Sequence, residues 1–124
     1  MKIIFSHKIS RKEKIEGVHN EIIKAFSKGI FTRIKGFLLP KNSNLIKIYM
    51  TSVAGARRAV FMIDTQSKDC FFLFYRSKND KIGQNISIKN PKFKSALTKY
   101  LNILYNDLRT KSYDILEIKN IQNL

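Results

Sequence analysis

Between Leu45 and Tyr75 three strand-length runs follow one another with only short polar or small-residue breaks. Leu45 to Met50 alternates Leu45, Lys47 and Tyr49 against Ile46, Ile48 and Met50, the two-residue period of a strand with unlike faces. Thr51 to Gly55 reads as a small-residue connection. Arg58 to Asp64 carries the apolar core Ala59-Val60-Phe61-Met62-Ile63 between polar ends, and Thr65 to Asp69 reads as a turn. Cys70 to Tyr75 is continuously apolar, as expected of a central strand covered on both faces. Connections this short cannot hold crossover helices, so the three runs predict an antiparallel meander.

Helical patterns flank the meander. Lys2 to Phe5 has the length of a strand. Ser10 with Glu13 three residues later has the form of a capping box, and Ile15, Val18, Ile22 and Phe26 recur at helical spacing up to a stop at Gly29. Gly17 weakens the middle of that helix. Phe31 to Leu39 suits either a short helical turn or extended chain, closed by Pro40 and a turn over Lys41 to Asn44. Asn90-Pro91 opens a second helix with proline at its first position. Phe93, Leu97, Leu101, Leu104 and Leu108 mark one face of it. Tyr113 to Ile118 fits a last strand or a tail docked on the sheet. The expected fold is α+β: a small antiparallel or mixed sheet, an N-terminal helical region packed on one face, and a C-terminal helix. At 124 residues the chain reads as a single domain over 1–124, with 110–124 as a C-terminal extension.

Charge narrows the partners. The chain carries 24 Lys and Arg against 9 Asp and Glu, a formal charge of +15. With 44% hydrophobic residues it has enough apolar content for a core, which argues against a disordered basic tail. Residues 1–50 hold 11 basic and 3 acidic residues, 51–100 hold 10 and 3, and 101–124 hold 3 and 3. The excess belongs to the first hundred residues and calls for a polyanion or an acidic partner. No apolar run approaches the ~20 residues of a membrane span, and Met1 to Phe5 is too short for a signal peptide, so no membrane is expected. A single cysteine, Cys70, fits a reducing cytoplasm. Neither a zinc-type Cys/His cluster nor a Gly-rich phosphate loop is present, so no metal and no cofactor are expected.

One ordered set of motifs points further. Ile46-Lys47-Ile48-Tyr49 leads to Gly55-Ala56-Arg57-Arg58-Ala59-Val60. Phe71 to Tyr75 then runs into Arg76-Ser77-Lys78-Asn79, and Asn85-Ile86-Ser87 precedes the helix. Over 45–87 this resembles the RelE/ParE superfamily of bacterial type II toxin–antitoxin toxins, in its RelE-like, mRNA-interferase branch. Ala56 stands where that branch has a second glycine, and Arg57 where it has an aromatic residue.

The resemblance implies a ribosome-dependent endoribonuclease that cuts mRNA by attack of a ribose 2′-hydroxyl on the adjacent phosphate. It implies Arg58 as phosphate stabiliser, with Lys47 and Lys78 as further catalytic cations. Arg57, Arg76, Lys81, Tyr75 and Tyr49 would contact RNA. Successive strand residues point to opposite faces, so Arg57 and Arg58 should not share the site unless the turn continues through Arg57. His19 reads as structural or exposed, and His7 is no catalytic candidate. The implied partners are a cognate antitoxin, mRNA and the ribosome, in the cytoplasm. The alternatives are a ParE-like inhibitor of DNA gyrase, or a non-catalytic basic protein binding RNA or DNA.

Overall fold

A computed structural model of the chain describes residues 1–28, 31–52 and 55–118. The elements run β1 (Lys2–Ser6), α1 (His7–Glu13), α2 (His19–Ser27), β2 (Phe31–Ile34), β3 (Ser43–Ser52), β4 (Gly55–Asp64), β5 (Cys70–Ser77), α3 (Pro91–Arg109) and β6 (Tyr113–Glu117). The strands form one six-stranded sheet in the order β2-β3-β4-β5-β1-β6. β3 to β5 are the expected antiparallel meander, and β2 extends it by pairing antiparallel to β3. β1 lies parallel to β5, and β6 runs antiparallel to β1. The fold is therefore α+β with a mixed sheet.

The meander is longer than its apolar runs. Thr51 pairs with Ala56 and Ser52 with Gly55, so the hairpin connection shrinks to residues 53–54, outside the described residues. Gly55 has φ +111°, a conformation that favours glycine at this turn. In the middle of β4, Val60 faces Phe74 while Phe61 faces Phe72, so Leu73 is the extra residue of a β-bulge. The bulge sends Phe72 and Phe74 to opposite faces. Phe72 joins Phe5 and Phe61 at ring distances of 5.6 and 5.5 Å, and Phe61 meets Phe26 of α2 at 5.2 Å. Phe74 meets Phe93 and Tyr100 of α3 at 6.0 and 5.2 Å. Helices α2 and α3 thus cover opposite faces, and one bulge supplies an aromatic core to each.

The N-terminal helical pattern divides differently from its spacing. Ser6, not Ser10, caps the first helix: its Oγ accepts from the Ile9 N–H at 3.2 Å and donates to Asp107 Oδ2 at 2.6 Å. Ser10 lies inside α1, and its carbonyl accepts the N–H of Lys14, which turns left-handed at φ 52°. Gly17 follows at φ +81°, and α2 starts afresh at His19. Ile15, Val18, Ile22 and Phe26 are nonetheless all buried. The apolar spacing records the inward direction on both sides of the break, whereas the break itself is enforced by partners distant in sequence. Helix α2 ends at Ser27, and Gly29, the expected stop, is outside the described residues.

Phe31–Ile34 is extended, as edge strand β2 beside β3. Helix α3 has Asn90 as N-cap, its side chain accepting from the Lys92 N–H at 3.1 Å, and Pro91 at its start. Phe93, Leu97, Leu101 and Leu104 are buried, with Leu108 partly buried at the margin. Tyr113–Glu117 takes the strand alternative and occupies the outer edge of the sheet.

Candidate functional site

Cross-strand register places the basic residues. Tyr49 lies directly opposite Arg58, and Arg58 directly opposite Arg76. Side chains alternate along a strand, so Lys47, Tyr49, Arg58 and Arg76 all point to the face on which α3 packs. Phe74 and Arg76 share that face and touch the Tyr100 ring. Helix α3 lies over β5 and β1, which leaves the β3–β4 part of this face open enough for Tyr49 to be 45% exposed.

Around Tyr49 two cations converge. The Arg58 guanidinium carbon is 4.8 Å from the ring centroid and the Lys47 ammonium 5.8 Å. Among the described residues neither cation has an ion pair. The electron-rich ring face holds both, each contact worth about 0.5–1 kcal/mol at an exposed site. The result is a pair of positive groups braced by an aromatic ring, with their charge still available to an anion. A planar guanidinium offers two parallel N–H groups to phosphate oxygens, and an ammonium adds a compact second charge.

Arg76 has a different fate. Its Nη1 donates to Glu13 Oε1 at 2.6 Å and to the Tyr75 carbonyl at 2.6 Å. The Glu13 side chain is only 5% exposed. The same carboxylate accepts the Tyr75 N–H at 3.0 Å and the Tyr100 hydroxyl at 2.6 Å. Burial works against the Arg76 charge, but hydrogen bonding to Tyr100 and the Glu13 carboxylate outweigh it and raise its pKa above the ordinary guanidinium value. Burial and the hydrogen bond to Glu13 push the Tyr100 hydroxyl up as well. Two arginines opposite one another on adjacent strands repel. Glu13 removes most of that repulsion by neutralising Arg76, and leaves Arg58 as the available member of the pair.

The remaining predicted residues do not gather there. Arg57 points to the opposite face and stacks on Tyr75, its guanidinium 4.9 Å from the ring centroid. The Tyr75 hydroxyl donates to the Glu13 carbonyl at 2.9 Å, a structural tie between β5 and α1. The Lys78 N–H bonds the Ala56 carbonyl at 3.0 Å, just past the end of β5, and its side chain is exposed. Lys81 is exposed in the following loop, where its carbonyl accepts from the Asn90 side chain at 3.1 Å. That loop is pressed against β5: a Cβ on Gly83 would come within 1.9 Å of the Ser77 carbonyl oxygen. Of the eight basic and aromatic candidates, register and ring contacts join Lys47, Tyr49 and Arg58.

The histidines stand apart. His19 packs edge-on against Phe5 at 4.8 Å, and His7 Nε2 lies 3.2 Å from Asp114. His19 lines a cleft of about 730 Å³ between α1, the connection to α2, and β6. Arg11 and Lys14 on its wall are balanced by Glu16 and Asp114, so this cleft gives a polyanion no net attraction. Sequence reasoning missed Glu13 as the organiser of β5, because its spacing from Ser10 reads equally well as a local cap.

Among the described residues no three His, Cys, Asp or Glu side chains are grouped to hold a metal ion, and no helix is long and apolar enough to cross a membrane. No protein-family model, curated protein or solved structure matches the chain.

Proposed function

We propose that this chain is an RNA-cleaving toxin of the RelE-like kind, acting on mRNA at the ribosome and held in check by an antitoxin. The observation that carries the reading is the convergence of Lys47 and Arg58 on the Tyr49 ring, on an open sheet face. Cleavage by an internal ribose needs in-line placement and neutralisation of charge growing on the phosphate. The 2′-oxygen bonds to phosphorus as its proton leaves. The bond from phosphorus to the 5′-oxygen breaks, and that oxygen takes up a proton. The products are a 2′,3′-cyclic phosphate and a 5′-hydroxyl.

In this scheme Arg58 binds the non-bridging oxygens through its fork, and Lys47 supplies the second positive charge. Tyr49 braces the two cations and offers its exposed ring to a base. Lys78, at the end of β5, is the third cation of the scheme and contacts the flanking backbone. A +15 chain would also be relieved by an acidic antitoxin. A cytoplasmic location belongs to the same reading.

The test is to map RNA 5′ ends in cells after induction of the wild-type chain and of Arg58→Ala. Codon-phased new ends are expected with the wild type. They should fall by about 10²–10³-fold with Arg58→Ala, the size of effect seen when one preorganised donor is removed. Undiminished ends from a folded Arg58→Ala protein would remove the assignment. DNA damage without new RNA ends would assign the gyrase-directed alternative instead.

A further inference from the structure

The lysines of α3 have no role in the site at Tyr49, yet they are continuous with it. Between Asp80 and Asp107 the chain has five lysines, at 81, 89, 92, 94 and 99, and no carboxylate. Among the described residues none of these lysines forms an ion pair. Lys92 and Lys99 are two helical turns apart on one side of α3, with Ser95 between them.

They border a shallow depression of about 490 Å³, whose lining includes Arg76, Ile82, Lys92, Ser95, Lys99 and Tyr100. A second depression, of about 460 Å³, adjoins it across Ser95 and carries Lys94. Arg76 is the link, because it lies directly opposite Arg58 across the β4–β5 ladder and also lines the first depression. Positive groups therefore run from Lys47, through Arg58 and past Arg76, to Lys99 and Lys92, with the exposed Asp80 at the margin, its carboxylate accepting the Ile82 N–H at 2.8 Å. Glu13, which also lies on this line, is buried and engaged with Arg76.

The geometry points to a second phosphate-binding stretch on α3, along which a single RNA strand continues after passing Tyr49 and Arg58. The choice of RNA as occupant rests on the cleavage reading above. The binding surface itself rests on charge and placement. An extended strand suits it better than a duplex, because the depressions are shallow and the aromatic ring at one end favours an unstacked base.

The test uses a fluorescein-labelled single-stranded oligoribonucleotide of about 12 nucleotides. All its riboses are 2′-O-methylated, so binding is read without cleavage. Anisotropy is titrated over a range of salt for the wild type, Lys92→Gln/Lys99→Gln, and Lys24→Gln/Lys28→Gln. The last pair removes the same charge from the α2 side of the sheet, where Lys24 and Lys28 are exposed.

The α3 double variant should bind about tenfold more weakly, with a salt slope shallower by about 1.4 for two lost phosphate contacts to a single strand. The α2 double variant should change affinity less than about twofold, since it touches no phosphate in this scheme. Equal losses from the two variants would show only a diffuse cationic field and overturn the inference. So would an unchanged α3 variant. Failure of the cleavage reading would appear separately, as an absence of new RNA ends with the asymmetry between the two variants intact.

Discussion

Arg76 Nη1 and Glu13 Oε1 stand 2.6 Å apart, joining the end of α1 to the middle of the sheet across 63 residues of sequence. The first strand stops at Ser6, so beyond Phe71 it no longer pairs with β5. Glu13 covers the edge left behind and accepts the Tyr75 N–H that would otherwise seek another strand.

Removing this carboxylate leaves a largely buried guanidinium without its counter-charge and a strand N–H without a partner. Glu13→Ala is expected to destabilise the fold by about 3 kcal/mol, measured by urea unfolding. Glu13→Gln, which retains hydrogen-bonding capacity, should lose less. A Glu13→Ala protein as stable as the wild type would show that the contact contributes nothing net.

Asp107 gives a pH signature. Burial works against its ionised form, but the Ser6 hydroxyl, the Lys8 N–H and the nearby His7 and Arg11 charges outweigh this and lower its pKa. A carboxyl with a folded pKa below its unfolded value contributes stability above the ordinary value of about 4, and loses it as pH falls through the folded one. Asp107→Asn should be less stable than the wild type at pH 7 by about 1–3 kcal/mol. The two stability curves should converge below about pH 4. Parallel curves down to the acid limit would mean that Asp107 is not held ionised by these partners.

Tyr49 separates ring from hydroxyl. Its side chain is half exposed, so Tyr49→Phe and Tyr49→Leu should each shift stability by less than about 1 kcal/mol. Tyr49→Leu releases both cations and should lower RNA cleavage by about tenfold or more, through loss of positioning. Tyr49→Phe keeps the brace and should stay within about threefold of wild type. A loss from Tyr49→Phe as large as from Tyr49→Leu would make the hydroxyl the essential part.

Cys70 reports on opening of the sheet. It is fully buried at the start of β5, and burial, reinforced by Asp69, pushes its thiol up to about 12. At pH 8 iodoacetamide should leave the native thiol unmodified for hours and label it rapidly in urea, because the thiolate is the reactive form. Prompt labelling under native conditions would place β5 among the easily opened parts of the molecule.

The meander was the most legible part of the chain because its two-residue period and its turns are local. Helix α3 was equally plain, since Asn90, Pro91 and the Phe93–Leu104 spacing act within one element. The division of the N-terminal helix was illegible for the opposite reason. Ser6 and Glu13 take partners at Asp107 and at Tyr75, Arg76 and Tyr100. Neither local spacing nor helix propensity encodes those partners.

At the candidate site, strand alternation sufficed to separate Arg57 from Arg58. No local feature reveals that Arg76 is engaged and Arg58 is not: both follow the same alternation, and only the distant Glu13 distinguishes them. Lys92 and Lys99 carry no distinguishing local signal among so many lysines, as their relation to the sheet depends on how α3 lies across it.

The position of β1 governs the order in which this chain can be assembled. It precedes the other five described strands in the sequence, but its neighbours are β5 and β6, and its Met1 carbonyl accepts the Ile118 N–H at 2.9 Å. The hairpins of β2 to β5 close over short distances and can pair as they emerge. By contrast, β1 must remain without strand partners until β5 has been synthesised. Local pairing is fast and distant pairing slow. The Glu13–Arg76 contact is therefore among the later ones to form, and Arg76 opposes Arg58 without its counter-charge until then.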